Sequence, residues 1–266
     1  MSIFSDKFDQ LKKADKAVKS PKYLQEVMGI GRIAENGIFE VGKGVYSRTY
    51  RFLDINYVTA GAEEQMRILK QYCKTVNAID VYFLITIFNR NKNMQDFREH
   101  VLFQEKGDGF NWLRGSYNQI IEKRIVDGRQ GIEQEKLLTV CVERKSYEQA
   151  KAFFATFEAT LKQNFGELGS CIAELNAEER LRVLFNFYRI GEEEQFSFDF
   201  RQALKKGGDP KNDISPGYMQ FYPGYFETER KKCRALFIKK YPSSLSDTFL
   251  NEITSLPVHS ITTICI

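Results

Sequence analysis

Histidine, proline and tryptophan are scarce in this chain, with two, six and one among 266 residues. The two histidines, His100 and His259, have no second histidine or cysteine at metal-ligand spacing, which argues against a histidine-built zinc site. Serine or cysteine nucleophile chemistry would have to use one of them, and no nucleophile-elbow sequence accompanies either. The five cysteines, Cys73, Cys141, Cys171, Cys233 and Cys265, are far apart and form no Cys-x-x-Cys pair. That argues against a disulfide framework or a zinc ribbon, and the expectation is buried, reduced thiols in a cytoplasmic setting. Long apolar runs are missing too. The longest, Val81 to Phe88, is far short of the roughly twenty residues a membrane-crossing helix needs, and the first twenty residues lack the apolar stretch of a secretory signal. Neither sign of charge dominates: 39 Lys and Arg stand against 35 Asp and Glu, for a net charge of +4. Composition alone therefore does not argue for a nucleic-acid-coating protein.

What the chain does have is apolar and aromatic material. Hydrophobic residues make up 42% and charged residues 28%, with 22 Phe and 13 Tyr. This is the balance of a folded chain with a well-filled core, long enough for one large domain or two small lobes. Residues 1–28 form a polar, Lys-rich arm in which Phe4, Phe8 and Leu11 share the spacing of a short amphipathic helix.

From there the chain alternates. Ile38–Val41 and Val45–Ile55 flank Gly42-Lys43-Gly44 and read as a hairpin. Ala62–Asn77 reads as a helix with Met66, Ile68, Leu69, Tyr72 and Cys73 as its apolar stripe. Asp80–Phe88 is a nearly continuous apolar strand, Trp112–Ile125 an inserted helix, and Leu137–Val142 another strand. Ser146–Phe165 is the strongest helix, opened by Ser146 with Gln149 and stopped near Gly166 and Gly169. A short strand, Cys171–Leu175, precedes a helix capped by Asn176 and Glu179, with Leu181, Leu184, Phe185 and Tyr188 as its stripe. With the insertion set aside, the order is that of an α+β, ferredoxin-like lobe (βαβ-βαβ) over 29–190. Residues 191–266 carry strands at Tyr218–Tyr222, Cys233–Lys239 and Ser260–Ile266 and a helix at Leu245–Leu256, a second smaller α+β lobe or an extension of the first sheet. The apolar final strand suggests a cut at a domain boundary.

Few motifs could carry chemistry. Gly37-Ile-Phe-Glu-Val-Gly42-Lys43-Gly44 is close to a phosphate-binding loop, but Gly44 replaces the hydroxyl residue that reaches magnesium, and strand formers occupy the cradle. A hairpin turn is the better reading. Gly29-Ile-Gly31-Arg-Ile-Ala34 imitates a dinucleotide fingerprint without the strand that should precede it. The carboxylates Glu133, Glu135 and Glu192–Glu194 read as solvated, although carboxylates can also meet only in the fold. The candidate contact cluster is Arg230, Lys231, Lys232 and Arg234, just after the aromatic stretch Phe221–Phe226. Basic residues interleaved with aromatics can bind single-stranded nucleic acid; a hairpin with a charged tip is the plainer alternative.

Three long stretches resemble the VirB/TrbE/CagE family of type IV secretion (conjugative-transfer) ATPases, in the form carried by conjugative transposons of Gram-positive bacteria. They are Tyr46–Tyr57 with Glu63-Glu-Gln65, Gly128–Lys136 through Glu143-Arg-Lys145 to Gln163–Gly169, and Arg234–Ile253. The resemblance implies the N-terminal, non-motor region of such a protein, with a RecA-like motor domain expected to follow. The family's nucleotide-binding residues have no counterpart positions here. No catalytic, nucleotide-binding or metal residues and no cofactor are therefore expected. The implied role is docking and assembly, with inner-membrane components of a secretion channel as partners, self-association through the full-length protein, and a cytoplasmic location at the inner face of the membrane. Two alternatives stay open: a single-stranded nucleic-acid-binding module, and an enzyme whose carboxylate site is assembled by the fold.

Overall fold

The computed structural model describes residues 23–91, 101–126, 132–229, 231–240, 244, 247–256 and 258–265. The helix expected at Phe4–Leu11 lies outside the described residues. The protein is mixed α+β with antiparallel sheets. After a short helix α1 (Leu24–Val27) and strand β1 (Arg32–Ile33), β2 (Phe39–Gly42) and β3 (Val45–Phe52) form the expected hairpin. Gly42 pairs with Val45 across the turn, where Gly44 takes a left-handed φ of 74°. Then come α2 (Ala62–Asn77), β4 (Phe83–Asn91), α3 (Asn111–Val126), β5 (Ile132–Glu143), α4 (Tyr147–Leu168), β6 (Ile172–Glu174) and α5 (Ala177–Tyr188). The remainder holds α6 (Phe200–Lys206), α7 (Lys211–Ile214), β7 (Met219–Tyr222), β8 (Tyr225–Thr228), β9 (Lys231–Cys233), α8 (Asp247–Thr254) and β10 (Ser260–Cys265).

The main sheet runs β1-β2-β3-β5-β4-β10, with β6 also on β3. β2 and β6 share one edge of β3 end to end. Phe39 and Glu40 pair with Ser47 and Tyr46, while Ile172 and Glu174 pair with Phe52 and Tyr50. At the joint, Gly37 lies so close to β6 that a Cβ there would sit 1.9 Å from the Leu175 carbonyl oxygen, and its φ is 82°. Only glycine fits that approach. β10 extends the sheet at its far edge, pairing Ser260–Cys265 with Asn89–Leu84, whereas β7, β8 and β9 make a separate three-stranded sheet.

Strand alternation divides the core between the two faces of the main sheet. On one face Tyr46, Tyr50, Phe83, Leu138, Val140 and Val142 meet Ala150, Phe154 and Leu161 of α4. Ser146 caps that helix by accepting from the Gln149 amide. Gly166 is accommodated inside it, and Gly169, at a φ of 81°, ends it. On the other face, Phe39 packs with Leu181 and Phe185 of α5, Met28 and Ile214. The Asn176–Glu179 capping box opens α5.

α2 has the expected bounds but a different rotation. Ile68 and Thr75 are buried, whereas Met66, Leu69, Tyr72 and Cys73 are exposed. The polar contacts explain it. Arg67, Gln71 and Lys74 all reach Glu167 of α4, which fixes the rotation that buries Ile68 and Thr75. The cysteines also depart from expectation, since Cys73 and Cys171 are exposed.

Candidate partner-binding surface

The second sheet carries the candidate cluster. It is tied to the first by Thr228, whose buried hydroxyl donates to the Tyr188 carbonyl at the end of α5. Tyr222-Pro223-Gly224-Tyr225 turns β7 into β8, with Gly224 at a φ of 87°. Pro-Gly is the pair a type II turn favours, and it was the available signal for β8, a strand missing from the sequence reading. Glu229, at a φ of 43°, begins the turn toward β9 and accepts from the Gly217 amide at 2.6 Å.

Arg230 lies outside the described residues. Lys231, Lys232 and Arg234 are exposed, but they do not form one patch. Lys231 pairs with Thr228 and Lys232 with Glu227, so alternation sends the two lysines to opposite faces and sets a carboxylate across from Lys232. Lys232 stands 5.6 Å from the Tyr225 ring centre, and Tyr225 stacks on Tyr222 at 4.8 Å with an interplanar angle of 15°.

The strand expected over Cys233–Lys239 stops at Cys233. Beyond it Leu236 and Phe237 are 90% and 84% exposed. Among the described residues no strand pairs with the outer edge of β9. An unpaired edge followed by exposed apolar residues offers both the backbone groups and the side-chain anchors that strand addition uses.

Elsewhere the polar groups serve the fold. Glu135, expected to face water, is 7% exposed. It accepts from Arg51 Nε at 2.6 Å and lies 3.6 Å from Arg90, which also pairs with Glu133 at 2.9 Å. Two arginines thus hold a charge ladder across β3, β5 and β4, and the carboxylate is engaged there. Arg180 is buried with its guanidinium 3.9 Å from the centre of the Phe39 ring. It donates to the carbonyls of Gly37 (2.7 Å) and Ser47 (2.9 Å) and to Ser47 Oγ (3.0 Å). Burial pulls its pKa down to about 9. An arginine within the apolar stripe of α5 was the only sequence signal for it. Burial likewise pushes the Cys141 thiol up, away from thiolate reactivity.

His100 lies outside the described residues. His259 packs edge-on to Phe88 and lies 3.1 Å from the Asn186 carbonyl oxygen; burial lowers its pKa. A cavity of about 270 Å³ beside β1, lined in part by Arg32, Glu40, Tyr46 and Tyr147, falls below the usual size of a ligand pocket. Among the described residues no three His, Cys, Asp or Glu side chains gather as they would around a metal. Nor is any helix among them long and apolar enough to cross a membrane. The Gly37–Gly44 segment is strand and hairpin turn.

No protein-family model matches the chain, and no curated protein matches it.

Proposed function

We propose that this chain is a docking and assembly domain, the non-motor N-terminal part of a conjugative-transfer ATPase, joining the motor to inner-membrane components of the secretion channel from the cytoplasmic side. The observation that carries the docking role is the open β9 edge with Leu236 and Phe237 standing beside it in solvent. The family assignment rests on the sequence resemblance over Tyr46–Tyr57, Gly128–Gly169 and Arg234–Ile253. We also assign the first lobe a ferredoxin-like fold. Its strand order β6-β3-β5-β4, with α2 joining β3 to β4 and α4 joining β5 to β6, supports that reading. The partner adds a strand at β9 and seats side chains against Leu236 and Phe237.

The test is capture of channel components from detergent-solubilised membranes of a conjugating host by the intact chain. Leu236→Asp with Phe237→Asp is expected to abolish capture of a channel component while leaving the circular dichroism unchanged. Retention of no channel component by the unaltered chain would sink the reading.

A second reading has its own observation. The Tyr222–Tyr225 stack with Lys232 beside it is a small platform of the kind that binds single-stranded nucleic acid. Fluorescence anisotropy with a single-stranded oligonucleotide at two salt concentrations decides it. Salt-sensitive binding lost in Tyr225→Ala supports a nucleic-acid role, and a flat titration removes it.

A further inference from the structure

Helix α3 is packed inside out. It sits between β4 and β5, which pair without interruption from Phe83–Val140 out to Asn91–Ile132. Among the described residues no other helix or strand packs extensively against it. Within them, what holds it is the loop before it. Asn111 accepts from the Lys106 amide at 3.0 Å, and Arg114 pairs with Asp108. Asn118 bonds both the amide and the carbonyl of Phe103, at 3.0 and 2.9 Å. These three polar residues recur at helical spacing and, with half-buried Ile121, form the inner face. The outer face is Trp112, Leu113, Tyr117 and Ile120, each 44 to 69% exposed. Phe103, 5.0 Å from Tyr117 between ring centres, and Phe110 continue it.

Taking aromatic side chains at about 150–250 Å² and the exposed fractions of these six residues, the apolar patch measures roughly 700 Å². The largest patch on a typical monomer is about 300–600 Å², whereas a stable pair buries about 800 Å² per partner. The charges around it also match themselves. Glu105 and Asp108 lie in the loop that leads into α3, and Lys123 lies in its last turns. Over residues 101–126, Glu105, Asp108 and Glu122 stand against Lys106, Arg114, Lys123 and Arg124, a net of +1. A lipid-binding helix instead carries about 4–8 clustered basic residues. Two copies of α3 placed antiparallel about a two-fold axis bring the acidic loop before each helix to the other's Lys123 and oppose the helix dipoles favourably.

We infer that two copies of this chain pair through the outer face of α3. The contact does not use β9, so its failure leaves the docking reading untouched. Trp112 is the chain's single tryptophan and reports directly on the contact.

The experiment is sedimentation equilibrium of the whole chain from about 0.1 to 100 µM, spanning the micromolar end of the affinities that interfaces of this size reach, with Trp112 fluorescence read in parallel. The mass is expected to double with concentration while the emission shifts to the blue. Leu113→Glu with Ile120→Glu, both at exposed positions, is expected to stay monomeric with red-shifted emission and unchanged circular dichroism. A monomer throughout the range would overturn the inference, as would a dimer that the double variant leaves intact. So would a blue shift produced only by anionic phospholipid vesicles, because that result gives the face to lipid.

Discussion

Two helices of this protein, α3 and α4, are built from similar residue types and used in opposite ways. α4 places Ala150, Phe154 and Leu161 against the main sheet and sends Lys151, Lys162 and Gln163 outward. α3 turns Asn111, Arg114 and Asn118 toward its own leading loop and sends Trp112, Leu113 and Tyr117 outward. Amphipathic spacing states that a helix has two faces; it does not state which one is covered. For α4 the sheet decides. For α3 the hydrogen bonds of a nearby loop decide, and the apolar face is left exposed.

The sharpest way to test that contrast is to truncate both helices. Phe154→Ala is expected to cost about 3–5 kcal/mol in thermal or urea unfolding, because a fully buried ring leaves a cavity under α4. Trp112→Ala, measured at a concentration where the chain is monomeric, is expected to change stability by no more than about 0.5 kcal/mol. Equal losses would erase the distinction. Next, Asn118→Ala removes two hydrogen bonds to Phe103 and is expected to cost about 1 kcal/mol locally. Faster amide exchange around Phe103, with the β3 and β5 amides unaltered, is the readout.

The core beneath α4 also buries a polar group. Among the described residues nothing hydrogen-bonds the buried Tyr50 hydroxyl, and burial pushes its ionisation well above the usual tyrosine range. Tyr50→Phe is expected to raise stability by about 1 kcal/mol in the same unfolding assay, since it removes a desolvated polar group and keeps the ring.

The smallest effect is one of pH. Hydrogen bonds from Arg114 hold the Asp108 carboxyl down at about 2. A carboxylate depressed in the folded state stabilises above its unfolded pKa near 4, and that contribution is lost as pH falls through about 2. The Phe110 amide, which donates to Asp108, is expected to lose protection across that window, while amides buried beneath α4 keep theirs.

Much of the chain could be read before its fold was seen. Gly42-Lys43-Gly44 marked the β2–β3 hairpin, Ser146 the start of α4, and Asn176 with Glu179 the start of α5. Those signals are local, and local physics determines them. The rotation of α2 was not legible, because Glu167, about a hundred positions away, sets it. For the candidate surface, the run of basic residues was visible but its meaning was not. Period-two alternation separates Lys231 from Lys232, and the exposed apolar pair Leu236–Phe237 read as strand because its residue types favour one.

The pairing of β10 with β4 carries a consequence in time. Ser260 meets Asn89 across 171 positions, and Asn89 donates to Ser260 Oγ over that same separation. The hairpin of β2 and β3 closes over a few residues, so chain closure costs it far less. Long-range pairing of this kind slows folding, and β10 is expected to dock after the rest of the sheet has formed. Until it does, the edge of β4 that bears Ile85 and Ile87 stands open, and other chains compete for it in that interval.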